Sequence, residues 1–353
     1  MGAESWDVVI GVDTHKDMHV AVALDGLGRR IGDVGAKATV RGYDELLDWA
    51  EGLGTIRGFA VEGCGSYGMG LVRHLHQRGV QVHEVDRPAR RGERRRVGKT
   101  DLIDAEHAAR LLLSAEPLAV AKTADGIVEM IRLVKVARDT AVKAQVQAMI
   151  TMKSLLVTAD DGLRAELEPL PNMAMVEACA GLEAGALDTT GAAMCHALSA
   201  IALRWLALHE EVKQHARSLR LLTKRAAPKL LELCGIGFDT AAQMLIVFGD
   251  NGERIRSESA FAKMCGACPI PASSGKTQRH RLSRGGDRQA NAALHRVVVV
   301  RLRWHEPTRA YAARRMAEGK TKKEVIRCLK RYVAREIFNA LSSRHDRGDT
   351  IAA

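Results

Sequence analysis

Aromatic residues are scarce: Phe, Tyr and Trp make up 4% of the 353 residues. The Ala, Leu, Val and Arg that dominate instead suit helices and an α/β core better than a β-sandwich. Cysteines are few and odd in number, seven in all. Without a secretory context they do not make a disulfide framework. Cys265-Gly-Ala-Cys268 has the spacing of a metal knuckle, but no second Cys or His pair stands at finger spacing. Buried free thiols are the expectation there, not a structural zinc. The start, MGAESWDVVIGVD, passes straight into a strand pattern and so lacks the shape of a signal peptide. No apolar run reaches the roughly 18 residues of a membrane span. These absences predict a cytoplasmic, reduced chain with no membrane contact.

Net charge is +11. A chain this basic meets a polyanion, nucleic acid first, or is simply a basic enzyme; charge alone leaves the two even. The length allows two or three domains.

The N-terminal stretch alternates strand and helix patterns. Residues 7–12 (DVVIGV) and 18–24 (MHVAVAL) are apolar strands, and a third is expected near Ile31–Val34. Residues 42–52 have helical spacing, 57–61 read as a strand ending at Glu62, 68–78 as a helix and 81–85 as a strand. This order implies an α/β domain with a mixed sheet over 1–120. A basic stretch with Pro and Gly follows, holding Arg90, Arg91, Arg94, Arg95, Arg96 and Lys99, and reads as a loop. Thr100 then caps a helix over 101–113. Two long stretches without interior Pro or Gly, 127–160 and 193–226, predict long helices in a coiled-coil-like region over 121–226. Residues 161–192 have no clear pattern. A mainly helical part over 227–345 follows. It has a turn at Gly235-Ile236-Gly237, a helix capped by Asp239, an irregular basic stretch over 262–291, and helices over 289–302 and 322–341.

Carboxylates stand where chemistry could use them. Asp13 ends the first strand (GVDTHK) and Glu62 ends another (VEGCGSYG). The carboxyl ends of adjacent strands are where sites form in open α/β sheets. Asp101 and Asp104, three apart at a helix start, share one face. Each alone has an ordinary reading: a strand stop, a first-turn acid favoured by the helix dipole, a solvated surface residue. Together they would repel one another unless a cation sat among them. Mg²⁺ takes such oxygen ligands and keeps positions open for phosphate. Two ions about 3.5–4 Å apart can stabilise both the attacking and the leaving oxygen of phosphodiester cleavage.

The order GVDTHK, VEGCGSYG, KTDLIDA and SSGKTQRHRLSRGGD resembles the insertion-sequence 110 family of transposases. The resemblance runs along nearly the whole chain. It implies an RNase H/RuvC-like DEDD domain, a coiled-coil linker and a C-terminal transposase domain with a nucleophilic serine. It assigns Asp13, Glu62, Asp101 and Asp104 as catalytic, metal-holding residues for one or two Mg²⁺ ions. It places the nucleophile at Ser274, with Ser273 adjacent. It implies donor and target DNA as substrates and a structured non-coding bridge RNA from the same element as guide. It further implies a homo-oligomer, dimer or tetramer, with composite sites in which one subunit's acids meet another's serine. The chain departs from the pattern at Ile270-Pro271-Ala272 before the serine and at Cys64 after Glu62.

A serine hydroxyl needs activation, and no His–Asp triad signature flanks Ser273 or Ser274. Lys276, Arg279, Arg281, Arg284 and Arg288 are suited to holding phosphates. Read as residues alone, this is an ordinary basic loop. The turn at 235–237 has two even readings, a phosphate-holding hairpin or a plain connection between helices. Tyr67 reads as packed and Lys16 as exposed. Competing readings are a DEDD nuclease or Holliday-junction resolvase using water, and a non-catalytic nucleic-acid-binding protein. A sugar-kinase-like ATPase shares only the opening strand. If the basic segments contact phosphates, DNA affinity should fall a thousandfold or more between about 50 and 200 mM salt. Fluorescence anisotropy measures this; a fall under tenfold would remove the basic segments from the interface.

Overall fold

The computed structural model describes residues 7–85, 100–114, 118–272, 280–281, 283 and 285–342. Six strands form one mixed sheet in the order β3-β2-β1-β4-β5-β6. The strands are β1 (Asp7–Thr14), β2 (Met18–Asp25), β3 (Arg30–Lys37), β4 (Thr55–Glu62), β5 (Val82–Val85) and β6 (Ala119–Val120). β1, β2 and β3 pair antiparallel as a meander, while β4 runs parallel to β1, with Val12 opposite Val61. Helices α1 (Val40–Leu53) and α2 (Met69–Gln77) cover one face; α3 (Asp101–Leu113) covers the other.

Strand alternation decides what each face meets. Val8, Ile10 and Val12 pack with Leu46, Leu71 and Leu75 under α1 and α2. Val9 packs with Ala105 and Ala109 of α3, and Ala60 of β4 with Ala108. Gly11 faces the same way as Val9, and the α3 backbone lies directly on it. A Cβ there would stand 2.0 Å from the Ala105 carbonyl oxygen and 2.3 Å from the Ala109 nitrogen. Only glycine admits that approach.

The long helices are α4 (Ile127–Val157) and α7 (Thr190–Ala226). The segment 161–192, unpatterned in sequence, holds two short helices, α5 (Asp161–Leu167) and α6 (Asn172–Ala180). With the far ends of α4 and α7 they enclose a separate core around Met152, Leu156, Leu167, Val176 and Leu198. The near ends of the long pair, Val128 and Ile131 on α4 and Leu219 and Ala226 on α7, belong to the C-terminal core instead. That core is built by α8 (Pro228–Leu231), α9 (Phe238–Phe248), α10 (Glu258–Met264), α11 (Arg288–Trp304), α12 (Glu306–Ala317) and α13 (Lys322–Ser342). A short ribbon pairs β7 (Ile270–Pro271) with β8 (His280–Arg281).

Three expectations change. Asp239 does not cap α9: the N-cap is Gly237, with no side-chain cap. Its carboxylate instead meets Lys135 at 2.9 Å, Arg138 at 3.0 Å and Arg296 at 3.2 Å. Burial alone would raise its pKa, but Lys135 above all, then Arg138 and Arg296, hold it below the ordinary carboxylate value. The stretch from 262 is not all irregular, because α10 runs to Met264. Finally, α7 does contain an 18-residue window long and apolar enough, by length and composition, to cross a bilayer. Within it Leu198 and Ala202 are fully buried in the tip core. At the turn 235–237, Ile236 is buried and the Arg301 side chain donates to the Cys234 carbonyl at 2.8 Å, as a packed helix connection would.

Gly11→Ala should destabilise the protein by about 1–3 kcal/mol, because the obstructing atoms are backbone and cannot rotate away. Chemical denaturation measures this; a variant as stable as the parent would refute the close seating of α3 on β1.

Candidate active site

Three elements deliver the four acids to one end of the sheet. Asp13 and Glu62 follow the paired residues Val12 and Val61 on adjacent parallel strands. By alternation Asp13 shares the face of Gly11, and Glu62 that of Ala60, so both turn toward α3. A neighbouring tie fixes the strand ends, where the Thr14 hydroxyl donates to the Glu62 carbonyl at 2.8 Å. The chain leaves β4 through Gly63, whose φ of +73° favours glycine. A Cβ there would also stand 3.0 Å from Thr14 Oγ1. Asp101 and Asp104 come from the first turn of α3, after the Thr100 hydroxyl accepts the Ile103 amide as N-cap. The helix end is the positive pole of its dipole, which favours carboxylates there.

His15 lies between the acids. Its Nε2 is 3.3 Å from Asp13 Oδ2 and 3.3 Å from Asp101 Oδ1. The three candidate ligand atoms all fall within 4.8 Å of one another. Nε2 is itself buried, and neither contact has hydrogen-bond geometry. Asp13 is 7% exposed. Burial raises its pKa above the ordinary carboxylate value; His15 opposes the rise, and the charges of Glu62, Asp101 and Asp104 add to it. All three other carboxylates thus act on Asp13 through their charge, and Asp101 shares His15 with it. A buried imidazole nitrogen without a hydrogen bond, set among mutually repelling oxygens, is a donor set that a divalent cation fits.

The remaining sequence candidates divide in two. Arg281 is exposed on β8, and Arg288 is exposed at the start of α11, where Asp287 caps the helix by accepting the Ala290 amide at 2.8 Å. Ser273, Ser274, Lys276, Arg279, Arg284 and the basic stretch holding Arg90, Arg91, Arg94, Arg95, Arg96 and Lys99 lie outside the described residues. Lys16 is exposed as expected. Tyr67 is not packed: it is 56% exposed in the turn after Glu62. His15, in the motif GVDTHK that carries Asp13, was not among the ligands expected from sequence. Its signal was position alone, two residues beyond a strand-end carboxylate. Cys265 is buried, which pushes its thiol pKa up to about 12.

Two family models match the chain. One, described as a transposase of the DEDD IS110 type, matches residues 10–159. The other, described as a transposase of the IS116/IS110/IS902 family, matches residues 227–313. Both describe one family, and between them they take in well over half of the chain. No curated protein matches it.

Because its pKa is raised, Asp13 holds its proton more tightly folded than unfolded. Stability therefore falls as pH rises from the ordinary carboxylate value through the raised one, and at pH 7 the ionised group destabilises the metal-free fold. Asp13→Asn should then melt a few degrees higher than the parent at pH 7 without metal, with the gap narrowing toward about pH 4. A divalent cation should raise the parent's melting temperature and leave the variant's unchanged. Differential scanning fluorimetry decides; a metal-free variant that melts lower than the parent contradicts this account.

Proposed function

The chain belongs to the IS110 family of transposases, enzymes that cleave and rejoin DNA, and from this we propose a mechanism for it. Asp13, Glu62, Asp101 and Asp104 hold Mg²⁺, one ion or two, and Ser274 is the nucleophile. The observation that supports this reading is the meeting of Asp13 of β1 and Asp101 of α3 at the unbonded His15 Nε2, with the charges of Glu62 and Asp104 acting on Asp13. A bound divalent cation supplies positive charge for the developing negative charge of phosphodiester cleavage. The Ser274 oxygen bonds to phosphorus as its proton leaves, and the bond from phosphorus to the leaving strand oxygen breaks. One phosphodiester is exchanged for a phosphoserine ester and a free strand hydroxyl. Attack by another strand's hydroxyl reverses the exchange and returns the serine. Lys276, Arg279, Arg281, Arg284 and Arg288, with the arginines of the stretch from Arg90 to Lys99, hold donor and target phosphates by charge-assisted contacts.

The division into 1–120, 121–226 and 227–345 is the proposed domain organisation, and a bridge RNA from the same element is the proposed guide. Apolar residues left exposed along α4 support a homo-oligomer, among them Leu133, Val136, Val146 and Ile150, each more than half exposed. Acids and serine from different subunits would then complete one site, in the cytoplasm.

The test is a covalent adduct. Full-length protein is incubated with Mg²⁺, the RNA of its element and DNA ends, then resolved on a denaturing gel. Ser274→Ala and Asp13→Ala should both abolish the adduct, and Ser273→Ala should keep it. Cleavage that persists in Ser274→Ala would replace the serine mechanism with hydrolysis by water.

A further inference from the structure

A second charged cavity, of about 390 Å³, lies in the C-terminal part. Tyr311 and Arg315 of α12, and Arg327, Lys330 and Tyr332 of α13, line one side. Pro269, His280, Arg281 and Ser283, which flank or form the β7–β8 ribbon, line the other. Most of its arginines are already neutralised. Arg331 and Arg335 share Glu258, at 2.8 and 2.6 Å. Arg315 pairs with Glu318, and Arg327 lies 3.9 Å from Glu324.

Three further lining cations have no carboxylate within ion-pair reach among the described residues: Arg281, Lys320 and Lys330. Lys330 is 6% exposed, and its ammonium donates to the neutral Asn291 Oδ1 at 2.8 Å. Burial lowers its pKa, with the charge of Arg327 adding to the effect. A buried cation without a counter-ion is costly, and an anion in the cavity would remove that cost. Arg315 Nε, also at this cavity, is buried without a hydrogen bond.

The cavity also offers an aromatic surface. Tyr332 is 45% exposed, with the Arg335 guanidinium 5.7 Å from its ring centre. Tyr311 braces it edge-on, the ring centres 5.4 Å apart. An exposed ring beside unpaired cations is how proteins hold single-stranded nucleic acid, the base stacking and the backbone paired. A volume of about 390 Å³ lies within the range of small-ligand sites, far smaller than a duplex.

We propose that this cavity binds an unstacked nucleotide of a DNA strand, with the base on Tyr332 and the phosphate among Lys330, Arg281 and Lys320. Its place in the reaction rests on the function proposed above: β7 and β8 bracket residues 273–279 in sequence, the stretch that carries Ser274. The cavity would therefore unstack a DNA strand held by the C-terminal part, a step that duplex binding alone does not provide.

The test uses full-length protein without divalent cation, so cleavage plays no part and the serine mechanism can fail or hold independently. Anisotropy titrations compare fluorescein-labelled oligothymidylate, a blunt duplex of equal length and the matching single-stranded RNA. Tyr332→Ala should weaken single-stranded DNA about tenfold and leave the duplex within about twofold. Tyr332→Phe, which keeps the ring, should bind as the parent does. Arg281→Gln, at an exposed position, should lower the slope of log affinity against log salt for the single strand by about 0.7. Lys330→Gln should do the same provided its melting temperature is retained. Equal losses for single strand and duplex in Tyr332→Ala would reduce the cavity to ordinary basic surface. No loss in either would overturn the proposal, and a loss confined to RNA would overturn its assignment to DNA.

Discussion

The acidic site depends on one close approach, the α3 backbone lying on Gly11 of β1. The register follows from element geometry. From Gly11 to Asp13 the strand advances about 6.6 Å, two residues at its usual rise. From Ala105 back to Asp101 the helix covers about 6 Å, four residues at its own rise. Two elements that touch at Gly11 and Ala105 therefore stay in step as far as Asp13 and Asp101, which meet across His15. A side chain at position 11 would lift the helix, and with it half of the carboxylates. Glycine in a strand usually weakens it; here it sets the distance between two carboxylates.

Stability and chemistry pull against each other at this point. Burial and three neighbouring carboxylates make the ionised Asp13 unfavourable, and only His15 opposes them. A fold selected for stability alone would place an apolar residue at the end of β1, as it does at Val8, Ile10 and Val12. The strain is held by what surrounds it: largely buried strands β2 and β4 on either side, the Thr14 tie to the Glu62 carbonyl, and the capped start of α3. Such tension between a site and its scaffold is expected where a cation is to be bound.

Much of this was legible because the signals were local. Strand-end positions put Asp13 and Glu62 forward as candidates, and the Thr100 cap and the three-residue spacing did the same for Asp101 and Asp104. The long helices announced themselves by the absence of Pro and Gly. What escaped was set by contacts distant in sequence. Asp239 looked like a cap because its nearest neighbours are a glycine turn and a helix, yet its partners are Lys135, Arg138 and Arg296. The segment 161–192 forms helices only against the ends of α4 and α7, whose apolar side chains it covers. Helix α12 was missed because its sequence, EPTRAYAARRMA, has little apolar periodicity and buries only Thr308 and Ala312. The arginines at 327, 331 and 335 repeat every four residues and so share one face of α13, a pattern that spacing alone reveals. Only the fold shows that Glu258, from another helix, neutralises two of them.

The two halves of the chain are joined by a polar clasp. Where β6 ends, the Asn251 amide donates to the Ala121 carbonyl at 2.8 Å and Lys122 donates to the Ile246 carbonyl at 2.7 Å. Asp250 then caps α4 from more than a hundred residues away, accepting the Val128 amide at 2.8 Å and those of Gly126 and Glu129 at 3.2 and 3.3 Å. A flexible linker would leave these backbone groups to water; here one carboxylate holds a helix start to the C-terminal core. The base of α4 is fixed a second time by the buried Lys135 between Asp139 and Asp239. The tip of the helical pair, by contrast, has a core of its own and leaves apolar side chains on its surface. This polar joint therefore ties the end of β6 and the start of α4 to the C-terminal core, while α4 keeps apolar side chains such as Leu133, Val136, Val146 and Ile150 exposed along its length.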